Sequence, residues 1–306
     1  MSVRPITLLF IFCLCVFIPA TLSASIQPLQ STNYIGLNPK TGQMDYPQAI
    51  VYQFPDPAKF GNGPFPLFIW TPATFEPYQD ILSLTFVSEM ANRGFVAASI
   101  QYANSNAVQF CPIYQGRSKA IFDATRSTSA VSVLCSVTGV SCSTGIVNAG
   151  LSQGAAISLL AKNYAPAVAA TYVMSMGDYN AVGFGLPCLD DANTAIPPER
   201  LTIVNGESDP FFVGQTTTSN ASGYACDPGT FQCWSPTGSG AGWVIVQDSQ
   251  VIDLDADHCY MVIGGCTAPT TYDWNWYLNS YNWALRPNLD WLASFGTKRV
   301  FSSTGQ

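Results

Sequence analysis

Ser152, Asp209 and His258 are the residues of this chain whose types could carry out nucleophilic chemistry together, and they occur in that order. Ser152 stands in Gly150-Leu151-Ser152-Gln153-Gly154, between the apolar run Ile146 to Ala149 and a helix-like run, Ala155 to Tyr164. A serine flanked by glycines where a strand passes into a helix sits on a sharp, strained turn that lifts its hydroxyl clear of the sheet. That hydroxyl is a weak nucleophile at neutral pH and needs a base. The chain contains one histidine, so a Ser-His-acid mechanism can use only His258. A bare Gly-x-Ser-x-Gly arises by chance in many unrelated chains, and a lone histidine is more often structural than catalytic. Weight comes from context: strand before and helix after the serine, and a histidine beyond the last candidate strand, next to Cys259.

The histidine needs an acid to fix its tautomer and stabilise the imidazolium. Asp209 lies in Asn205-Gly206-Glu207-Ser208-Asp209-Pro210, directly after the apolar run Leu201 to Val204. A turn there places its carboxylate outside the carboxyl ends of a parallel sheet, where ligand sites lie. Glu207 is the rival acid. Asp253, Asp255 and Asp257 precede the histidine in alternation; a calcium patch is the sharper reading and a solvated strand edge the commoner one. Acyl chemistry also needs amides for an oxyanion. Gln153, at the head of the following helix, supplies one. The loop Thr71-Pro72-Ala73-Thr74-Phe75 supplies the second, and because proline has no amide hydrogen the choice is between Ala73 and Thr74.

These groups must be held by strands alternating with helices. Strands are expected at Gln48 to Phe54, Pro66 to Trp70, Phe95 to Ile100, Ile146 to Ala149, Val168 to Met174, Leu201 to Val204 and Trp243 to Val246. Helices are expected at Tyr78 to Asn92, stopped by Gly94, and at Lys119 to Val137. The alternation implies an α/β fold with a mostly parallel central sheet covered by helices on both faces. Residues 211–241, rich in Gly, Ser and Thr, lack periodicity and read as a disulfide-braced insertion. The tail from Asp273 to Ser294, with four tryptophans, reads as one C-terminal helix, or two broken at Pro287, packed on the sheet.

With 306 residues, 48% of them hydrophobic and 10% charged, the chain can bury one large core. Arg4 followed by the apolar run Ile6 to Ile18 and small residues reads as a secretory signal over residues 1–24, leaving residues 25–306 as one domain. The apolar run is short for a membrane span. Cys13 and Cys15 fall in that signal. The other eight cysteines form an even count that suits disulfides in an extracellular chain. Sequence proximity suggests Cys135–Cys142, Cys226–Cys233 and Cys259–Cys266, and elimination leaves Cys111–Cys188, one of about 105 possible connectivities. With a single histidine and no Cys-x-x-Cys, neither a metal nor any cofactor is expected. Without Arg4 the chain carries 11 basic against 19 acidic residues and no basic cluster, which argues against nucleic-acid or anionic-membrane partners. Asn220-Ala221-Ser222 is a glycosylation sequon in what reads as a loop.

From Gln48 onward the chain resembles the α/β-hydrolase superfamily, on the strength of Gly150-Leu151-Ser152-Gln153-Gly154, the turn around Asp209 and the late His258. The Ser-Gln-Gly core, the cysteines and the leader are similar to those of cutinases and secreted lipases. Cutinases are shorter and carry Tyr at the position of Leu151, and the usual His-Gly of the oxyanion loop is Thr71-Pro72 here. The resemblance implies a secreted serine hydrolase, expected to be monomeric, that cleaves small-molecule or polymeric carboxylic esters through an acyl-enzyme. A peptidase or amidase on the same scaffold and a non-catalytic binding protein are the alternatives, and the fold itself does not choose among substrates.

Overall fold

The computed structural model describes residues 27–105, 110–178, 185–190, 193–212, 214–266 and 269–296. The expected leader at residues 1–24, with Cys13 and Cys15, lies outside the described residues.

One nine-stranded sheet organises the described residues. Its antiparallel edge is β1 (Gln30–Gly36) and β2 (Tyr46–Gln53), and β2 pairs antiparallel with β4 (Val96–Ile100). A one-turn helix, α1 (Pro57–Phe60), leads from β2 to β3 (Leu67–Thr71). From β4 the sheet continues in parallel through β3, β5 (Ile146–Leu151), β6 (Val168–Met174), β7 (Leu201–Gly206) and β9 (Gly242–Val246), and the short β8 (Gln232–Trp234) closes it antiparallel to β9. Every residue of β3, β4, β5, β7 and β9 is buried, which is why these strands read as unbroken apolar runs.

The two faces of β3 show how the layers form. Leu67 and Ile69 pack into the core shared with α3 (Cys111–Phe122), α4 (Ala130–Cys135), α5 (Gln153–Leu159) and α6 (Ala161–Tyr164). Phe68 and Trp70 point the other way, toward α2 (Ile81–Ala91), α8 (Trp274–Leu278) and α9 (Leu285–Ala293). There Trp70 stacks on Phe86 with ring centroids 3.8 Å apart, and its Nε1 donates to Ser83 Oγ at 3.0 Å. The tryptophan-rich tail is core only in part: Trp276 and Trp283 have no exposed surface, whereas Trp274 is exposed and Trp291 half-buried. From β3 the chain crosses through α2 to β4 on one side, then returns through α3 and α4 to β5 on the other. The crevice between the carboxyl ends of β3 and β5 is therefore the switch point of the sheet, where ligands bind in open α/β folds.

Three expectations need correction. Lys119 to Val137 is not one helix. Asp123 adopts an extended conformation at the end of α3, where its Oδ1 accepts from the Thr125 amide and hydroxyl, and Ser129 starts α4 by accepting from the Ser132 amide. The segment 211–241, expected as a disulfide-braced insertion without periodicity, contains α7 (Gly214–Ser222) and β8. Asn220 accordingly sits exposed in the last turns of α7 rather than in a loop, donating to Asp178 Oδ2. The C-terminal helices break between Leu278 and Leu285, not at Pro287, which stands in the first turn of α9, where an amide hydrogen has no intrahelical partner to lose. A small hairpin of β10 (Val262–Ile263) and β11 (Thr271–Tyr272) follows the histidine loop.

Candidate active site

The serine turn is built by close contact. Ser152 has φ 55° and ψ −116°, in the left-handed half of backbone space that a non-glycine residue enters only when its surroundings compel it. The compulsion is visible in the packing of α5 against β3. A Cβ on Gly154 would lie 2.0 Å from the Thr71 carbonyl oxygen and 2.4 Å from that of Pro72, so only glycine fits. Thr71 Oγ1 donates to the Gly154 carbonyl at 2.8 Å, and the Ser152 amide donates to Met174 O at 3.0 Å. The turn is thus pinned to β3 on one side and β6 on the other.

Asp209 follows β7 and has no exposed surface. Its Oδ1 accepts the amides of Phe211 at 2.8 Å and Phe212 at 3.2 Å, and its Oδ2 meets His258 Nδ1 at 2.8 Å. A buried carboxylate is tolerable when donors surround it in this way. With Nδ1 donating to the carboxylate, the lone pair of the imidazole is on Nε2. The ring is confined by Phe211, edge-on at 4.9 Å, and by Phe212 at 6.2 Å. The histidine loop is drawn onto the sheet by Ser175 Oγ, which donates to the His258 carbonyl at 2.6 Å, and by Gly206, where a Cβ would fall 1.9 Å from Ala256 O. The rival acid Glu207 faces elsewhere, its Oε2 accepting from the Asp248 amide at 3.0 Å.

Ser152 and His258 line one cavity of about 650 Å³ at the switch point. Its walls are mainly apolar and include Leu82, Leu151, Leu186, Phe212, Met261 and Val262. Gln153 lies in the wall as the first residue of α5, and Ala73 and Thr74 come in from the loop after β3. The two loop candidates differ. The Ala73 amide donates to Glu76 Oε2 at 2.6 Å, so it is already engaged, whereas no hydrogen bond among the described residues occupies the Thr74 amide. The loop is braced by Asn104, whose Nδ2 donates to the carbonyls of Ala73 and Glu76, and by Tyr102, whose hydroxyl donates to Pro72 O at 2.6 Å. Burial, with the neighbouring Asp80 carboxylate adding to it, pushes the Glu76 carboxyl well above the usual carboxylate range. Glu76 escaped the sequence reading; a carboxylate three residues beyond Ala73 was the available signal.

The four disulfides among the described residues are Cys111–Cys188, Cys135–Cys142, Cys226–Cys233 and Cys259–Cys266. Cys259–Cys266 borders the cavity directly behind His258. Asp253 lies in a turn and Asp255 and Asp257 in irregular backbone, none of them on a strand edge. Asp253 Oδ2 accepts the Gly264 amide and Asp257 Oδ1 the Cys259 amide, so these carboxylates brace the histidine loop. Among the described residues no group of three or more His, Cys, Asp or Glu side chains is arranged to hold a metal ion.

The sheet order, the helices on both faces and the turn after β5 define the α/β-hydrolase fold. The chain is similar to 2,6-dihydroxy-pseudo-oxynicotine hydrolase at a TM-score of 0.51 and 15% identity, over 89% of this chain and 69% of that one. It is also similar to XC6422 from Xanthomonas campestris, an a/b serine hydrolase without lid, at a TM-score of 0.39 and 14% identity, over 60% of this chain and 74% of that one. No protein-family model matches the chain, nor does any curated protein.

Proposed function

We propose that this chain is a secreted serine hydrolase that cleaves esters of hydrophobic carboxylic acids through an acyl-enzyme. The observation that carries this reading is the His258–Asp209 pair, 2.8 Å apart, opening on the same apolar cavity as a serine held at positive φ. Ser152 Oγ attacks the ester carbonyl carbon while His258 Nε2 takes its proton. The tetrahedral oxyanion is met by the Gln153 amide and by the amide of Thr74 or, if Glu76 withdraws, Ala73. Collapse expels the alcohol, which takes the proton from His258. Water then attacks the acyl-enzyme, its proton passing to His258 and on to Ser152 Oγ as the carboxylic acid leaves. Asp209 holds the imidazole in the tautomer this shuttle requires.

The apolar lining favours a substrate that removes hydrocarbon from water. Four disulfides suit an oxidising, extracellular setting. No helix among the described residues is long and apolar enough to cross a membrane. A monomer remains the expected state. The test is a series of p-nitrophenyl esters from acetate to octanoate with wild type, Ser152→Ala and His258→Ala. The expected result is turnover that rises with acyl length until the cavity is filled and that both substitutions abolish. Full activity in either variant contradicts the reading.

A further inference from the structure

Arg117 is the least expected side chain in this molecule. It lies within α3 at 4% exposure, where arginine is almost never found without a carboxylate partner. It has none: the ion pairs among the described residues are Arg93 with Glu89 and Asp290, and His258 with Asp209. Among the described residues the Arg117 Nε hydrogen meets no acceptor. Burial holds its pKa below the ordinary arginine value, yet a guanidinium remains a cation in proteins. A buried, uncompensated charge of this kind opposes folding, so its presence calls for a role that an apolar side chain could not fill.

Its two contacts indicate that role. Arg117 Nη1 donates to the side-chain Oε1 of Gln153 at 2.8 Å, and Gln153 is the residue after Ser152. On its other side the guanidinium sits 5.6 Å from the centroid of the Tyr102 ring, and the Tyr102 hydroxyl donates to the carbonyl of Pro72 at 2.6 Å. Pro72 immediately precedes Ala73 and Thr74. One cation therefore touches, directly or through one side chain, both segments that carry the proposed oxyanion amides. It stands behind the cavity wall: Gln153 lines the cavity and Arg117 is not part of its lining.

We propose that Arg117 is a positioning residue of the acyl-transfer step, clamping the Gln153 and Pro72–Thr74 segments at their working separation and holding a fixed positive charge behind the developing oxyanion. The inference rests on the acyl-enzyme reading of Ser152. It assigns Arg117 no contact with substrate. Its effect is on the transition state, because the charge it complements appears only there, in a site where low polarity magnifies it.

Arg117→Met keeps the length of the side chain and removes the charge; Arg117→Lys keeps the charge and loses the fork. For each variant we would measure kcat and KM on a p-nitrophenyl ester, the rate of covalent labelling of Ser152 by a fluorophosphonate, and the thermal midpoint. Arg117→Met is expected to lower kcat and the labelling rate by about 30- to 100-fold with KM within about twofold, toward the loss seen when an oxyanion donor is removed. Its thermal midpoint should match or exceed that of wild type, because the uncompensated charge is gone. Arg117→Lys should recover a substantial part of the lost rate. A purely structural arginine gives the opposite pattern, and either result overturns the proposal: Arg117→Met that retains wild-type kcat, or both variants losing activity only in step with a lowered midpoint. The wild-type protein separates this failure from failure of the broader reading. If wild type is labelled at Ser152 and Arg117→Met is labelled equally fast, only the Arg117 role fails; if folded wild type is not labelled, the acyl-enzyme reading falls and the Arg117 role with it.

Discussion

Replacing Asp209 with asparagine perturbs the site through a single proton. The two carboxylate oxygens of Asp209 have different partners: Oδ1 accepts two amides, from Phe211 and Phe212, while Oδ2 faces His258 Nδ1. In Asp209→Asn the amide oxygen must occupy the Oδ1 position, because an NH2 group there would confront two N–H donors in a fully buried site. The NH2 group then faces Nδ1, and the imidazole can meet it only with the Nδ1 lone pair. The proton moves to Nε2, the nitrogen that must be free to take the Ser152 proton. The geometry survives and the base is in the wrong tautomer. In a serine protease with this arrangement the corresponding change costs about 10⁴ in kcat, or about 5 kcal/mol of activation free energy. We expect a loss of that order here, with the thermal midpoint little changed. Glu207→Gln serves as the control: Glu207 accepts from the Asp248 amide and is expected to keep kcat within about threefold. The assay is steady-state hydrolysis of a p-nitrophenyl ester beside a thermal melt. Asp209→Asn within tenfold of wild type, or Glu207→Gln as damaging as Asp209→Asn, rules out Asp209 as the acid that orients His258.

Three further outcomes follow from the same contacts. Gly154→Ala forces a Cβ against the backbone of Thr71 and Pro72, so α5 must shift; ester turnover should fall about 100-fold, as expected for a reacting group misplaced by about 1 Å, with a lower thermal midpoint. Glu76 has a folded-state pKa raised to about 8, chiefly by burial and further by Asp80. Between the ordinary carboxylate range and that value the native state keeps a proton the unfolded chain has lost, so stability falls as pH rises through the window; urea melts from pH 5 to 8.5 should show this slope, and Glu76→Gln should flatten it. Removing Cys111–Cys188, which spans 77 residues, should cost about 4.5 kcal/mol by loop-closure entropy, against about 2.4 kcal/mol for any of the bridges spanning 7, as measured by denaturant unfolding of paired Cys→Ala variants.

The site was more legible in the sequence than the layers that hold it. Ser152, Asp209 and His258 could be picked out as candidates because Ser152 and Asp209 stand directly after apolar strands and the single histidine leaves no other base. The central strands were equally plain, being buried on both faces. β1 was not anticipated: an edge strand buries little, and in Gln30–Gly36 only Tyr34 and Gly36 are buried. α7 escaped notice because Gly-Gln-Thr-Thr-Thr-Ser-Asn-Ala-Ser has almost no apolar face to betray a period. The break between α3 and α4 turns on side chains bonding backbone, Asp123 to Thr125 and Ser129 to Ser132, which hydrophobic periodicity does not register. Glu76 and Arg117 were missed for a related reason. A charge in sequence reads as solvated, and only the folded chain reveals one carboxyl turned onto the Ala73 amide and one guanidinium enclosed behind Gln153.

The central claim is that Ser152 is a nucleophile activated by His258. The most direct measurement is the intact mass and peptide map of the folded protein after exposure to a fluorophosphonate. One covalent adduct per chain is expected, on Ser152, absent in Ser152→Ala and formed at least about 100-fold more slowly in His258→Ala. A folded wild-type protein that takes up no adduct, or takes it up on another residue while Ser152 stays unmodified, contradicts it.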